Sequence, residues 1–196
     1  MDYRQTLKEL YKFTDYEKRG FAAYAPENYS LNRVHRLLGL LGDPQERMHA
    51  VHVAGTKGKG STATLLAHGL RAGGVRTGLY TSPHVTSYIE RMEILGSDPL
   101  VPEILALGER IREAVEELPA DAIDTMGPPN TFELLTLLAF CYFRAARCET
   151  VVVETGIGGR LDATNLVDPQ LCLITPIELE HTDVLGDTLT AIAREK

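Results

Sequence analysis

Hydrophobic positions along the chain alternate between two periods. Leu31, Val34, Leu37, Leu38 and Leu41 recur at helical spacing behind Ser30, a helix-capping residue type, and Gly42 supplies the stop. Leu7, Leu10 and Tyr11 predict an opening helix before them. Residues 50–54 read as a short buried strand, 62–71 as a helix ended by Gly73-Gly74, and 75–81 as a second strand. Residues 91–95 predict a short edge strand. A helix from Pro102 follows, with Ile104, Leu107, Ile111, Val115 and Leu118 on one face, and Gly127-Pro128-Pro129 closes that section as a loop.

The second half repeats the alternation. Asn130-Thr-Phe-Glu133 has the form of a capping box, and residues 132–143 are apolar almost all round, as in a helix packed deep against a sheet. Residues 150–154 and 171–175 are short, apolar and mostly β-branched or leucine, so both are predicted to be central parallel strands buried on both faces. Asp187 is the predicted cap of a last helix with Leu189, Ile192 and Ala193 inward. Strand and helix in turn give an α/β fold, a P-loop-type, mostly parallel sheet flanked by helices with right-handed crossovers.

Between the first buried strand and its helix lies His52-Val-Ala-Gly-Thr-Lys-Gly-Lys-Gly-Ser-Thr62. Gly55, Gly58 and Gly60 let backbone N–H groups turn inward, the helix points its positive end at the same spot, and Lys59 adds a formal charge. Gly55, Thr56, Lys57, Gly58, Lys59, Gly60 and Ser61 are the candidate phosphate cradle, and a nucleoside triphosphate is the expected guest. The spacing departs from G-x-x-x-x-G-K-[ST]: Val53 stands at the first glycine position, and Gly60 displaces the hydroxyl to Ser61.

Composition narrows the choice of partner. Lys and Arg number 20 against 27 Asp and Glu, a net charge of −7, which argues against nucleic acid or an anionic membrane and for a small molecule. Cys141, Cys148 and Cys172 lack metal-type spacing and read as reduced thiols in or near the core. No apolar run approaches the roughly 20 residues of a membrane helix and the start of the chain has no signal core, so a soluble, cytoplasmic protein is expected. No heptad stripe asks for a partner copy, and a monomer is expected.

In open parallel sheets ligands bind beyond the carboxyl ends of the strands, and four polar segments fall there: 55–61, 81–84, 154–160 and 178–182. Glu154 reads either as a ligand for magnesium bridging phosphate oxygens or as an exposed strand-end acid. His181 suits a metal, a substrate or a structural hydrogen bond, and Ser82 suits a metal or the tight turn before Pro83. Arg160 with Asp162-Ala-Thr-Asn165 is either a phosphate clamp or a self-paired loop, and Lys57 is open to reading as a solvated charge.

Taken in order, Ala54-Gly-Thr-Lys-Gly-Lys-Gly-Ser61, Gly78-Leu-Tyr-Thr-Ser-Pro-His84, Glu90-Arg91, Thr131-Phe-Glu133, Glu154-Thr-Gly-Ile-Gly-Gly-Arg-Leu-Asp-Ala-Thr-Asn165 and Ile174-Thr-Pro-Ile-Glu-Leu-Glu-His-Thr182 resemble the folylpolyglutamate synthase and dihydrofolate synthase family. This family is a branch of the Mur-type ATP-dependent amide ligases, and the likeness covers nearly the whole chain and includes the displaced serine. It implies a Mur ligase central-domain-like fold and a reaction in which ATP phosphorylates a folate or dihydropteroate carboxylate, followed by attack of the L-glutamate amine. It also implies that Lys59 and the loop amides hold the triphosphate, that Ser82 and Glu154 bind magnesium, and that His181 binds a second magnesium ion. Lys196 stands where the family often carries a carbamylated lysine. Lys57 replaces a usual Asn, and Glu180 a frequent Asp. The family continues into a second α/β domain that contacts nucleotide and amino acid, so the expectation is an N-terminal ATP-binding domain over residues 1–196, inactive alone. The rival readings are another Mur-type ligase, acting on a cell-wall precursor, and a nucleotide-binding module without catalysis. A GTP switch is disfavoured because no Asn-Lys-x-Asp segment occurs.

Overall fold

The computed structural model describes residues 31–119 and 127–196. The opening helix expected around Leu7, Leu10 and Tyr11, and the Ser30 cap, lie outside them. Among the described residues five strands form one sheet in the order β3-β2-β4-β1-β5. They are β1 (His49–Ala54), β2 (Thr77–Tyr80), β3 (Met92–Ile94), β4 (Thr150–Glu154) and β5 (Pro169–Ile174). β1 pairs in parallel with β4 and β5, β2 pairs in parallel with β4, and β3 runs antiparallel along the β2 edge. The β-branched centre is β4: Val151 and Val153 enter the core on one face and Val152 the core on the other, the period of two that a strand imposes.

Helices cover both faces. α1 (Asn32–Leu40), α3 (Val101–Glu116) and α4 (Thr131–Ala145) build the larger core with Val34, Leu37, Leu107, Ile111, Leu135 and Phe140. α2 (Lys59–Ala72) covers the opposite face through Ala63 and Ala67, small residues that let its backbone approach Val53, Leu79 and Val152. α4 opens with the expected box: Asn130 Oδ1 accepts from Glu133 N at 2.9 Å, and Glu133 Oε2 accepts from Asn130 N at 2.9 Å. Such a cap stabilises a helix by about 1 kcal/mol. Here its carboxylate also grips Arg33 of α1.

Three expectations need correction. β5 is an edge, not a central strand: among the described residues it pairs with β1 alone, and Leu171 and Ile174 are 48% and 60% exposed. Apolar composition identifies a strand without reporting how many neighbours it has. α2 begins at Lys59 rather than 62, because Gly58 in the left-handed region turns the chain straight into the helix. The last helix, α6 (Leu189–Glu195), is capped by Thr188, whose hydroxyl accepts from Ala191 N at 3.1 Å, and not by Asp187. Only Ile192 of its predicted inward residues is buried; Leu189 and Ala193 are exposed. A one-turn helix, α5 (Thr182–Leu185), precedes it. Cys141 and Cys148 are buried, which pushes both thiols up to about 11, whereas Cys172 is exposed on β5. Among the described residues no helix is long and apolar enough to cross a membrane.

Candidate functional site

The parallel strands deliver their carboxyl ends to one rim, where four segments meet. Gly55 leaves β1 at φ +134°, and a Cβ there would lie 1.9 Å from Thr175 Oγ1 and 2.9 Å from Thr175 N, so only glycine fits. The next residues are stitched to the segment after β5: Thr56 N and Lys57 N donate to Pro176 O at 3.1 and 3.5 Å, and Thr56 Oγ1 donates to Glu178 O at 3.3 Å. Lys57, which sequence left open as a solvated charge, pairs with Glu178 at 2.5 Å on the surface. The amides of 56 and 57 are therefore occupied, and the donors left for a guest are those opening α2, where the first N–H groups lack helical acceptors and the helix dipole is positive. Lys59 Nζ lies 3.5 Å from Thr56 O, folded back over the turn.

Glu154 ends β4 directly beneath this turn. Its buried carboxylate accepts from Ser82 N at 3.0 Å, and it comes so close to the first turn of α2 that a Cβ on Gly60 would stand 3.3 Å from Oε2. Burial pushes its carboxyl upward, opposed by the Ser82 amide, the Lys59 charge and the Gly60 amide. Hard oxygens of Glu154 and the Ser82 loop fit a divalent cation whose other ligands are phosphate oxygens and water. His181 arrives separately, exposed and in the left-handed region at the start of α5. Among the described residues no three His, Cys, Asp or Glu side chains gather into a metal cluster, so His181 and Glu154 are not brought into one.

Lys196 closes the rim from the other side. Its side chain is 1% exposed, and Nζ donates to Gly55 O at 2.7 Å and to Glu180 at 2.5 Å. Burial pushes this amine downward, while Glu180 holds it up. Arg160 delivers it: the guanidinium bonds both Glu195 oxygens at 3.2 and 3.0 Å, and Arg160 N donates to Glu195 O at 2.9 Å. The Arg160 side chain thus pairs with Glu195, while Asn165 Nδ2 donates to Arg160 O at 3.0 Å, so of the two readings the self-paired loop is present in part.

The whole 196-residue chain aligns with folylpolyglutamate synthase of Lacticaseibacillus casei at 36% identity over 197 residues, covering 100% of this chain and 43% of that protein. The dihydrofolate synthase/folylpolyglutamate synthase of Bacillus subtilis is 39% identical over 167 residues, covering 85% of this chain and 38% of that protein. The chain belongs to the folylpolyglutamate synthase/dihydrofolate synthase family. A solved structure described as an FPGS-AMPPCP-folate complex matches it with a TM-score of 0.87 at 35% identity, over 100% of this chain and 45% of that one. No family model matches. The chain spans less than half the length of these relatives.

This family member also contains a buried polar relay that sequence reading did not single out. Asp162 Oδ2 accepts from Gly156 N and Ile157 N at 2.9 and 3.1 Å, shaping the second glycine loop. Its Oδ1 accepts from Thr164 N and, at 2.5 Å, from the Thr164 hydroxyl. Having donated its proton, Thr164 Oγ1 accepts from His52 Nε2 at 2.8 Å, so Nε2 is a ring nitrogen that carries a proton. The signal was present as Asp-Ala-Thr, a local side-chain-to-backbone capping pattern, but its link to β1 is tertiary.

Burial lowers the His52 pKa from 6.5 to about 4. The unfolded chain therefore binds the proton more readily, and this contribution to stability is complete above pH 6.5 and lost as pH falls toward 4. Its full size is up to about 3 kcal/mol. His52→Gln is expected to flatten the fall in melting temperature across that window. Parallel slopes for variant and parent would contradict the assignment.

On the 81–91 segment, Glu90 gathers the amides of Val85, Thr86 and Ser87 at 2.8, 3.0 and 2.8 Å. Buried Arg91 donates to His84 Nδ1 at 2.9 Å, and the His84 ring lies 4.2 Å from that of Tyr88. Glu90 and Arg91 thus fix the loop that presents Ser82.

Proposed function

We propose that this chain is the ATP-binding part, an N-terminal ATP-binding domain, of a ligase that joins L-glutamate to the carboxylate of folate or dihydropteroate through an acyl phosphate. The observation that carries the reading is the glycine turn 55–61 running into α2 with Lys59, directly above the buried Glu154 and the Ser82 amide. A relative of the same fold, solved with AMPPCP and folate, supports both the nucleotide and the folate halves.

The α2 amides and Lys59 bind the outer phosphates, because phosphoryl transfer depends on positioning and on neutralising charge there. Glu154 and Ser82 would hold magnesium, which would neutralise charge on those phosphates. His181, carried to the same rim by the segment after β5, is assigned to a second magnesium ion. Lys196 is assigned to bracing: as a cation on Gly55 O and Glu180, it holds the start of the turn in place.

Calorimetric titration with Mg-ATP tests the nucleotide half. The chain is expected to bind in the micromolar to millimolar range, and Lys59→Ala to weaken binding by about tenfold to a hundredfold, the size of a lost charge-assisted contact. Equal affinities for parent and variant would remove Lys59 from the cradle. Glutamate- and folate-dependent release of ADP tests the ligase half.

A further inference from the structure

The two glycine loops of the rim are joined through one side chain. Lys196 Nζ donates to Gly55 O at 2.7 Å, where the first loop leaves β1, and to Glu180 at 2.5 Å. The backbone of the same residue rests on the second loop. A Cβ on Gly159 would stand 2.7 Å from Lys196 O, 3.1 Å from Glu195 O and 3.2 Å from Lys196 Cα. Gly159 does not have a positive φ, so this contact, and not backbone conformation, is what requires glycine there. Arg160 holds Glu195 by its backbone N–H and by both carboxylate oxygens. The loop is itself pinned, since Asp162 takes the amides of Gly156 and Ile157. A pinned loop therefore sets where the backbone of 195–196 lies. A lysine side chain that is 1% exposed has little room to correct for a displaced backbone.

We propose that Gly159 and Arg160 are positioning residues for the phosphate turn: they seat Lys196, and through Lys196 the second glycine loop sets the start of the first. The consequence for nucleotide rests on the reading of 55–61 as a nucleotide site. The link between the two loops stands apart from that reading and is measured separately.

The test uses the full 196-residue chain, as parent, Gly159→Ala, Arg160→Glu, Lys196→Met and the double variant Gly159→Ala with Lys196→Met. Acetylation by acetic anhydride, read by mass spectrometry, reports whether the Lys196 amine is seated. Amide exchange at Thr56, which donates to Pro176 O at 3.1 Å, reports the turn, and calorimetric titration with Mg-ATP reports the site. Gly159→Ala is expected to raise Lys196 acetylation and Thr56 exchange by about tenfold, and to weaken Mg-ATP by about tenfold, the size of a lost charge-assisted hydrogen bond. Lys196→Met should match it in exchange and affinity. The double variant should be no worse than Lys196→Met alone, because both changes remove one contact. Thermal melts confirm folding. Arg160→Glu, which sets two carboxylates together on the surface, should shift every readout the same way by about threefold, and decides the matter if Gly159→Ala does not fold. A folded variant whose Lys196 stays protected overturns the proposal, and so do Thr56 exchange effects that multiply in the double variant. Failure of the parent to bind Mg-ATP counts against the nucleotide-site reading, and acetylation and exchange then decide the link between the loops.

Discussion

Gly55→Ala is expected to abolish measurable Mg-ATP binding and to lower stability by about 2–5 kcal/mol, the sum of backbone strain and overlap. The new Cβ would meet Thr175 Oγ1 at 1.9 Å and Thr175 N at 2.9 Å, with φ at +134°. Rotating the threonine away does not relieve the backbone contact. Moving the backbone breaks Thr175 N to Ala54 O at 2.9 Å, then Thr56 N to Pro176 O at 3.1 Å, then Lys196 Nζ to Gly55 O at 2.7 Å. The turn would lose its stitching to the segment after β5, and with it the aim of the α2 amides. Gly58→Ala is the control: it too has positive φ, +83°, but a Cβ there meets open space. Its cost is only the left-handed conformation, about 1–2 kcal/mol. Denaturant titration and nucleotide binding on both variants check this. Similar behaviour of the two would show that contact with Thr175 does not govern the turn.

Glu133→Ala is expected to cost about 3–5 kcal/mol, because it strips a buried arginine of its carboxylate. Arg33 Nε and Nη2 donate to Glu133 Oε2 and Oε1 at 2.8 and 2.7 Å, with both side chains buried. The same carboxylate caps α4 through Asn130 N, so one substitution loosens α1 and frays the helix that fills the larger core. For a chain of this size the melting temperature should fall by roughly 6–20 °C. Replacing both partners, Arg33→Met with Glu133→Leu, should cost less than Glu133→Ala alone, since the arginine and the carboxylate that it faces are removed together. A melting temperature for Glu133→Ala within about 2 °C of the parent, about 1 kcal/mol or less, would contradict the account.

The parts legible in sequence were those set by local pattern. The Asn130 box and the all-apolar run after it fix α4, and the valines of 150–154 fix the strand at the middle of the sheet. Placing four polar segments after four parallel strands was enough to gather them on one rim, because strand direction alone decides which end they occupy. Pairings between distant segments were not legible. Nothing local says that Arg160 grips Glu195 instead of Asp162, that Pro176 O takes the amides of Thr56 and Lys57, or that His52 reaches Thr164. β5 was misread as central for the same reason: an apolar strand carries no record of its neighbours. Gly60 shows the middle case. Its irregular place in the motif was visible, but its reason, room for the Glu154 carboxylate, exists only once β4 lies under the turn.

The most direct test of the central claim is a crystal structure of this chain with Mg-AMPPCP. The account predicts the outer phosphates on the amides opening α2, the metal on Glu154 and Ser82, and Lys59 Nζ moved from Thr56 O to phosphate. Nucleotide bound elsewhere, or phosphates on the turn with no metal beside Glu154, would contradict it.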